Sequence, residues 1–511
     1  MKFRVYKLKW LLPLLVIAFM VSCDDAFLEE TSNPNSFSPS AFWQNEDDAF
    51  NALTSVYAHL QPDGDWGTIF ERYIIIPSYR SDECVRRDDV SSWIKLASFT
   101  NDATNSTAAY FWNTNYSGIY RANQLFEGIE LVPDMNAELK NAYIAEAKFL
   151  RAFYYFTLLN NFGGNIPLIK TPVQGAADYY PPQSDYTTII GFIESELEAC
   201  LGVLPSSYDD TMEGRVTDGA VSALLGKVYL YQEKYSEAAS ELAKLIAASP
   251  TVYDLTPDYN ANFDGDNRGN KEVVFEAMFG GDQSGGRKEY NYITLHLSSF
   301  DGDGYEEAYP SEWLYEVMKE DTLPDGSYSD RIYNTIEFPG GLAFSNYGAT
   351  VAYEEVHGAD ASEIYWKKFV NWSEGQTANM YRSGFNVPII RFADVLLMYA
   401  EALNENNGPS SEAYDAIDRV RARVNVVPVK RDMTKEQLRE HIRHIERPCE
   451  LALEGTRYYD LNRWGITKEA LTQHGKRDAA SFVAGKHELL AIPRSELTLN
   501  ADWDQNPNYG R

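Results

Sequence analysis

The chain has 511 residues, 44% hydrophobic and 14% aromatic, with a formal net charge of −30 at pH 7. That is enough apolar material for a large core, so one large domain or two intimately joined ones are expected. The acidic excess works against nucleic acid and anionic lipid surfaces, and past the N-terminus no run of about 20 apolar residues reads as a membrane span.

In chain order, the first segment carries Lys2, Arg4, Lys7 and Lys9, then an apolar run from Trp10 to Val21, then Ser22 and Cys23. A basic stretch followed by an apolar one of this length has the pattern of an export signal. Met20-Val21-Ser22-Cys23 resembles a bacterial lipobox, whose cysteine is acylated and becomes the first residue of the mature chain; several acyl chains make a stable anchor where one would be marginal. Asp24, Asp25, Glu29 and Glu30 resemble the acidic tag that sends such lipoproteins to the outer face of the outer membrane. On this reading residues 1–22 are a lipoprotein signal peptide, residues 23–45 a lipidated tether and Cys23 the lipidation site. Loss of the signal strips four cations and no acids, which takes the net charge from −30 to −34. The remaining cysteines, Cys84, Cys200 and Cys449, are too far apart for a metal spacing and odd in number, so they are expected to be buried thiols.

The tether is rich in Asn, Ser and Pro around Phe37, Phe42 and Trp43, which suits a linker that docks onto the fold, and helical patterning begins at Asp47. Residues 61–110 are irregular. From Glu138 to Asn160, Leu139, Tyr143, Ala147, Leu150, Tyr154 and Leu158 recur at helical spacing. The clearest element is 217–250, where Leu225, Gly226 and Tyr229 lie on one face of a first helix and Tyr235, Ala238, Leu242 and Leu245 on one face of a second, with Thr217 able to cap the first. Small residues at these positions let two helices approach closely, as in the tetratricopeptide unit. A looser copy runs from Phe392 to Val424. Between about 251 and 390 the pattern changes to short strands, such as KEVVFEAMF at 271–279, and to loops rich in Gly, Asp, Asn and Tyr. Long loops on a rigid scaffold are where binding usually lives, so the functional surface is placed there and in 61–110.

Several segments together resemble the SusD/RagB family of surface glycan-binding lipoproteins: AEAKFLRAFYYFTLLNNFGGNIPLI (145–169), GRVTDGAVSALLGKVYLY (214–231), PIIRFADVLLMYAEALNE (388–405), ERPCELALEGTRYYDLNRWG (446–465) and LLAIPRSELTLNADWDQNPNY (489–509). They run in the family's order across nearly the whole mature chain. Most are scaffold: Arg151 and Arg391 are expected to bond helix ends or carboxylates, Phe162-Gly163-Gly164 to turn the chain, and Tyr458, Tyr459, Leu461 and Trp464 to form an aromatic layer. The resemblance implies a mainly α, SusD-like fold over 46–511: a tetratricopeptide-like helical-repeat scaffold at about 46–250 and 391–511, with the loop-rich, short-strand insertion at about 251–390 forming the binding face. It also implies a lid that captures polysaccharide or oligosaccharide for a SusC-like, TonB-dependent transporter, held to the membrane through its lipid anchor only and using no cofactor.

A glycan site needs exposed flat aromatics to stack on sugar C–H faces, with Asp, Asn or Arg for hydrogen bonds. Arg80-Ser81-Asp82-Glu83-Cys84 matches a family stretch that borders the glycan surface, which makes Asp82 a candidate. Where the starch-binding prototype continues with tryptophans, this chain has Val85-Arg86-Arg87-Asp88, and its nearest tryptophan is Trp93. Arg86 and Arg87 suit a glycan carboxylate or, equally, surface pairing with Asp88 and Asp89. Tyr290, Tyr292 and Tyr305 in the Gly/Asp-rich loops, and Trp66 between Asp65 and Gly67, complete the candidate set, whereas Trp112, Trp313 and Trp464 sit in helical patterns and read as core.

No H-E-x-x-H, serine-elbow or cysteine-pair setting points to an enzyme. His441, His444 and Glu446 on one helix turn are expected to be solvated rather than metal-bound. Asp264, Asp266 and Asn267, or Asp301 and Asp303, resemble pieces of a calcium loop without its closing glutamate, at most a weak structural Ca²⁺ site. The reading from a different class is a tetratricopeptide adaptor that binds proteins or peptides.

Overall fold

The computed structural model describes residues 42–61, 68–209, 212–265, 269–280, 290–346, 349–370 and 383–510. Cys23, the signal segment, Trp66, Asp266 and Asn267 lie outside them.

Helix α1 (Glu46–Tyr57) opens on a capping box, in which the Asn45 side chain accepts from the Asp48 N–H while the Asp48 carboxylate accepts from the Asn45 N–H. Just ahead of it Trp43 is buried in one cluster with Leu125 and Ile129. A seven-residue helix, α2 (Ser91–Ala97), precedes the two longest among the described residues, α3 (Ser106–Gly128) and α4 (Ala137–Phe162), which pack on each other and on α1. The chain leaves α4 at Gly163, whose φ of 70° explains the glycine there. Helix α5 (Tyr186–Glu198) packs on α4, and the salt bridge from Arg151 to Glu196, at 2.8 and 2.6 Å, ties the two.

The pair read from 217–250 is α6 (Asp218–Tyr231) and α7 (Tyr235–Ala247). Thr217 caps α6 by accepting from the Ala220 N–H, and Ala238, Ala239, Leu242 and Leu245 form the buried face of α7. A Cβ on Gly226 would lie 2.8 Å from Leu242 Cγ, so the helices meet at a distance that glycine permits. Much further along the chain, α11 (Phe392–Asn407) packs on α7 and pairs with α12 (Ser411–Arg423), as the looser copy predicts.

The 251–390 stretch is less strand-like than its composition suggests. Its described part also contains the short helices α8 (Ile293–Leu297), α9 (Glu312–Glu320) and α10 (Asp330–Thr335). The strands are brief and pair in twos. β1 (Cys84–Arg86) runs antiparallel to β3 (Ala308–Pro310), β2 (Val273–Ala277) to β6 (Val387–Arg391), and β4 (Ile336–Glu337) to β5 (Tyr365–Trp366). A buried ion network then locks the stretch to the helices after it. Arg391 bonds Glu454, Arg423 bonds Glu450 at 2.5 Å, Arg331 bonds Asp321 and Glu446 at 2.7 Å each, and Lys368 bonds Glu454 at 2.8 Å. Burial alone would raise the Glu272 carboxyl, but Arg423 and Arg391 pull it down to about 2.

Two expectations need correction here. Glu446 is not solvated: a π turn at Ile442–Glu446 rolls it inward, where it is fully buried and accepts from Arg331, Arg421 and His441. Trp313 and Trp464 are only half-buried, Trp313 lying 4.0 Å from His474 in a parallel stack and Trp464 donating its indole N–H to Glu401 at 2.7 Å, whereas Trp112 is buried as expected. Cys84, Cys200 and Cys449 are buried and free, and burial pushes the Cys84 thiol up to about 12.

Candidate functional site

Strands β1 and β3 bring the two predicted regions together. Their register sets Cys84 opposite Pro310 and Arg86 opposite Ala308, and the Arg87 N–H extends the ladder by donating to Glu307 O at 2.9 Å. Between α8 and β3 the chain folds into a tight loop. Tyr305 N–H donates to Leu295 O (2.7 Å), Glu306 N–H to Ser298 O (2.8 Å), and Phe300 N–H to a Glu306 carboxylate oxygen (2.8 Å). Asp303 and Glu306 adopt positive φ, 61° and 52°, to close it. The loop's crest is Phe300, whose side chain is left 52% exposed.

Arg87 braces this crest. Its guanidinium lies 4.4 Å over the Phe300 ring, donates to the Tyr305 carbonyl at 2.5 Å and sits 3.3 Å from Asp89. A cation held against one face of a ring fixes that ring and leaves its other face for a ligand. Beside it, burial first and then Asp89 push the Glu307 carboxyl up to about 8, against the opposing pull of Arg87, so the acid carries its proton at neutral pH. Next along the surface, Tyr309 donates to Glu306 at 2.6 Å and lies 6.2 Å from Tyr365, on which His357 stacks at 4.4 Å.

The predicted residues divide between the outer surface of this face and its support. Arg87 and Tyr305 are partly exposed on it. Tyr292 directly precedes α8, and its ring meets that of Tyr290 edge-on at 5.3 Å; both are half-buried. Trp93, expected as an exposed platform, is 5% exposed. Helix α2 turns it inward with Leu96 and Ala97, its indole N–H donates to Glu71 at 2.7 Å, and it packs edge-on against Phe70 and His296. Asp82 is 1% exposed and accepts from Arg457 at 2.8 and 2.7 Å and from His474 at 2.7 Å. Arg86 is buried and paired with Asp88 at 3.0 Å and with Asp478. Asp82, Arg86 and Trp93 thus stand behind the surface and position it. Phe300 and Tyr309 are additions that sequence reasoning missed, with the buried Tyr365 ring packed behind Tyr309; the signal for Phe300 was a lone large apolar residue inside a Ser, Asp and Gly loop. The described residues hold no group of three or more His, Cys, Asp or Glu side chains able to bind a metal ion, and Asp301 faces His357 at 3.6 Å.

Residues 271–509 match the model of the SusD family, and residues 29–230 match one described as starch-binding associating with outer membrane. A solved laminarin binding SusD-like protein is 30% identical, with a TM-score of 0.75 over 91% of this chain and 100% of that one. The chain belongs to the SusD family. Other SusD-family relatives agree over similar lengths. A SusD superfamily protein from Bacteroides vulgatus has a TM-score of 0.81 at 27% identity, covering 92% of this chain and 100% of its own. SusD-like protein P2 of Formosa agariphila is 28% identical over 99% of this chain and 100% of its own length. This SusD family member carries the Arg86-Arg87 pair after the Asp82 stretch, and it sets a phenylalanine on the second of these arginines.

Proposed function

We propose that this chain is a lipid-anchored cell-surface protein that captures a neutral polysaccharide or oligosaccharide on the face of Phe300, Arg87 and Tyr305 and delivers it to a SusC-like, TonB-dependent outer-membrane transporter. The observation that carries the reading is the exposed Phe300 ring braced from behind by Arg87. Such a ring accepts the apolar face of a pyranose, each stack contributing about 1 kcal/mol, while neighbouring carboxylates and hydroxyls accept and donate to sugar hydroxyls.

Neutrality of the ligand follows from charge. Arg86 and Arg87 are both engaged with aspartates, and the chain is strongly acidic, which weighs against an anionic polymer. The laminarin bound by one solved relative is a neutral glucan, consistent with this choice. For location, no helix of the described residues is long and apolar enough to cross a membrane, and the attachment proposed is through acylated Cys23. Capture without catalysis is part of the proposal. The test is affinity electrophoresis of residues 24–511 in gels containing neutral or acidic polysaccharides. Retardation by a neutral polymer supports the reading. Retardation by acidic polymers alone moves the ligand class, and retardation by none favours the protein- or peptide-binding adaptor.

A further inference from the structure

On a different part of the molecule, α3 forms one wall of a trough closed by residues 167–185 and by the C-terminal stretch 496–504. Its floor is aromatic and fixed. Trp503 lies 6.5 Å from Trp112 and donates its indole N–H to Pro181 O at 2.9 Å, and Tyr116 donates to Pro167 O at 2.9 Å. Its rim is aromatic and exposed: Tyr120 is 45%, Tyr179 64% and Tyr180 63% solvent-accessible, beside Leu499 at 63%. The trough proper has a volume of about 430 Å³ and continues past Asn500 and Trp503 into a second, more polar hollow of about 820 Å³. It shares no residue with the Phe300 face.

Large exposed rings gathered in one place mark a binding surface, and the form of this one selects the ligand. A protein partner buries a broad patch of about 800 Å² per side, whereas a concave trough of this size suits a small ligand or one or two rings of a chain. Tyrosine offers both a stacking face and a hydroxyl, and Asn113, Ser117 and Asn500 add amides and a hydroxyl along the walls. The lining of both hollows contains Asp178, Glu496, Asp185, Asp502 and Asp504 but no lysine or arginine. A sulfated or carboxylated polymer would be repelled.

We propose that this trough is a second saccharide site, selective for an uncharged glycan, so that one polymer is held at two points of the same protein. The proposal rests on the reading of the chain as a glycan binder, but the two fail separately. Four proteins suffice: the parent, a face variant (Arg87→Ala with Phe300→Ala), a trough variant (Tyr179→Ala with Tyr180→Ala) and their combination. Each is run in gels containing laminarin, amylopectin, xylan, galactomannan, pectin or carrageenan. Because the tyrosines replaced are exposed, the trough variant is expected to fold; Tyr179→Phe with Tyr180→Trp, which keeps the rings, should retain binding.

The expected result is that the trough variant loses about tenfold in apparent affinity for the neutral polymer that retards the parent, as two-point attachment is reduced to one. The face variant keeps residual retardation, and the combination has none. The second site is overturned if the trough variant matches the parent on every neutral polymer while the face variant loses binding. It is equally overturned if the trough variant weakens only on pectin or carrageenan. Should no polymer retard the parent, the glycan reading itself fails and the second site falls with it.

Discussion

Replacing Asp82 by alanine separates a ligand from a pillar. The carboxylate is 1% exposed and accepts two hydrogen bonds from Arg457 and one from His474. Burial opposes its ionisation, but Arg457 and then His474 hold its pKa well below the usual carboxylate range. Arg457 is itself buried, lies 4.9 Å from the Trp313 ring and donates to Arg443 O at 2.6 Å. Deleting the carboxylate strands that guanidinium, at a cost of about 3–5 kcal/mol. With an unfolding entropy of roughly 2 cal/mol/K per residue, this is a fall in melting temperature of about 4 °C for a body of this length. The assay is calorimetric melting of Asp82→Ala, Arg457→Met and the double variant, the double expected to recover part of the loss because it leaves no unpaired charge. If Asp82→Ala melts with the parent yet binds no glycan, the carboxylate is a ligand and this reasoning is wrong.

Other consequences are as direct. Gly226→Val drives a branched side chain into Leu242, with a Cβ 2.8 Å from its Cγ, and should cost about 1–3 kcal/mol in chemical denaturation. Glu272, depressed from 4.5 to about 2, contributes stability that is complete above about pH 4.5 and lost as pH falls through 2, on the order of 3 kcal/mol; Glu272→Gln should flatten this part of an acid-unfolding curve. Glu307 has the opposite sign. Raised to about 8, it favours the folded state while protonated and disfavours it as pH rises from the ordinary carboxylate range through 8. Glu307→Gln should therefore melt close to the parent at pH 4 and above it at pH 9, a gap that fails to open if the acid is already ionised.

The scaffold was legible because its signals are local. Gly226, Ala238 and Leu242 mark the α6–α7 contact within one short stretch, and Thr217 marks where α6 begins. Arg151 on a helix and Arg391 at the end of a strand were expected to bond helix ends or carboxylates, and both pair with glutamates. The site was less legible because its sorting is non-local. Asp82 owes its burial to partners 375 and 392 residues away, and no pattern around it announces Arg457 or His474. Trp93 reads as a surface tryptophan until Phe70 and His296 close over it. Phe300 becomes a crest only through the positive φ at Asp303 and Glu306, residue types that tolerate such turns without demanding them.

The central claim is that the Phe300 face holds a neutral glycan, and calorimetric titration of Phe300→Ala and Arg87→Ala with the neutral oligosaccharide identified by electrophoresis tests it most directly. Phe300→Ala should weaken binding about fivefold, the worth of one stack of about 1 kcal/mol, and Arg87→Ala should weaken it less, since the ring remains but loses its brace; both should melt with the parent. Unchanged affinity in both variants, at unchanged melting temperature, would place the capture surface elsewhere and contradict the account.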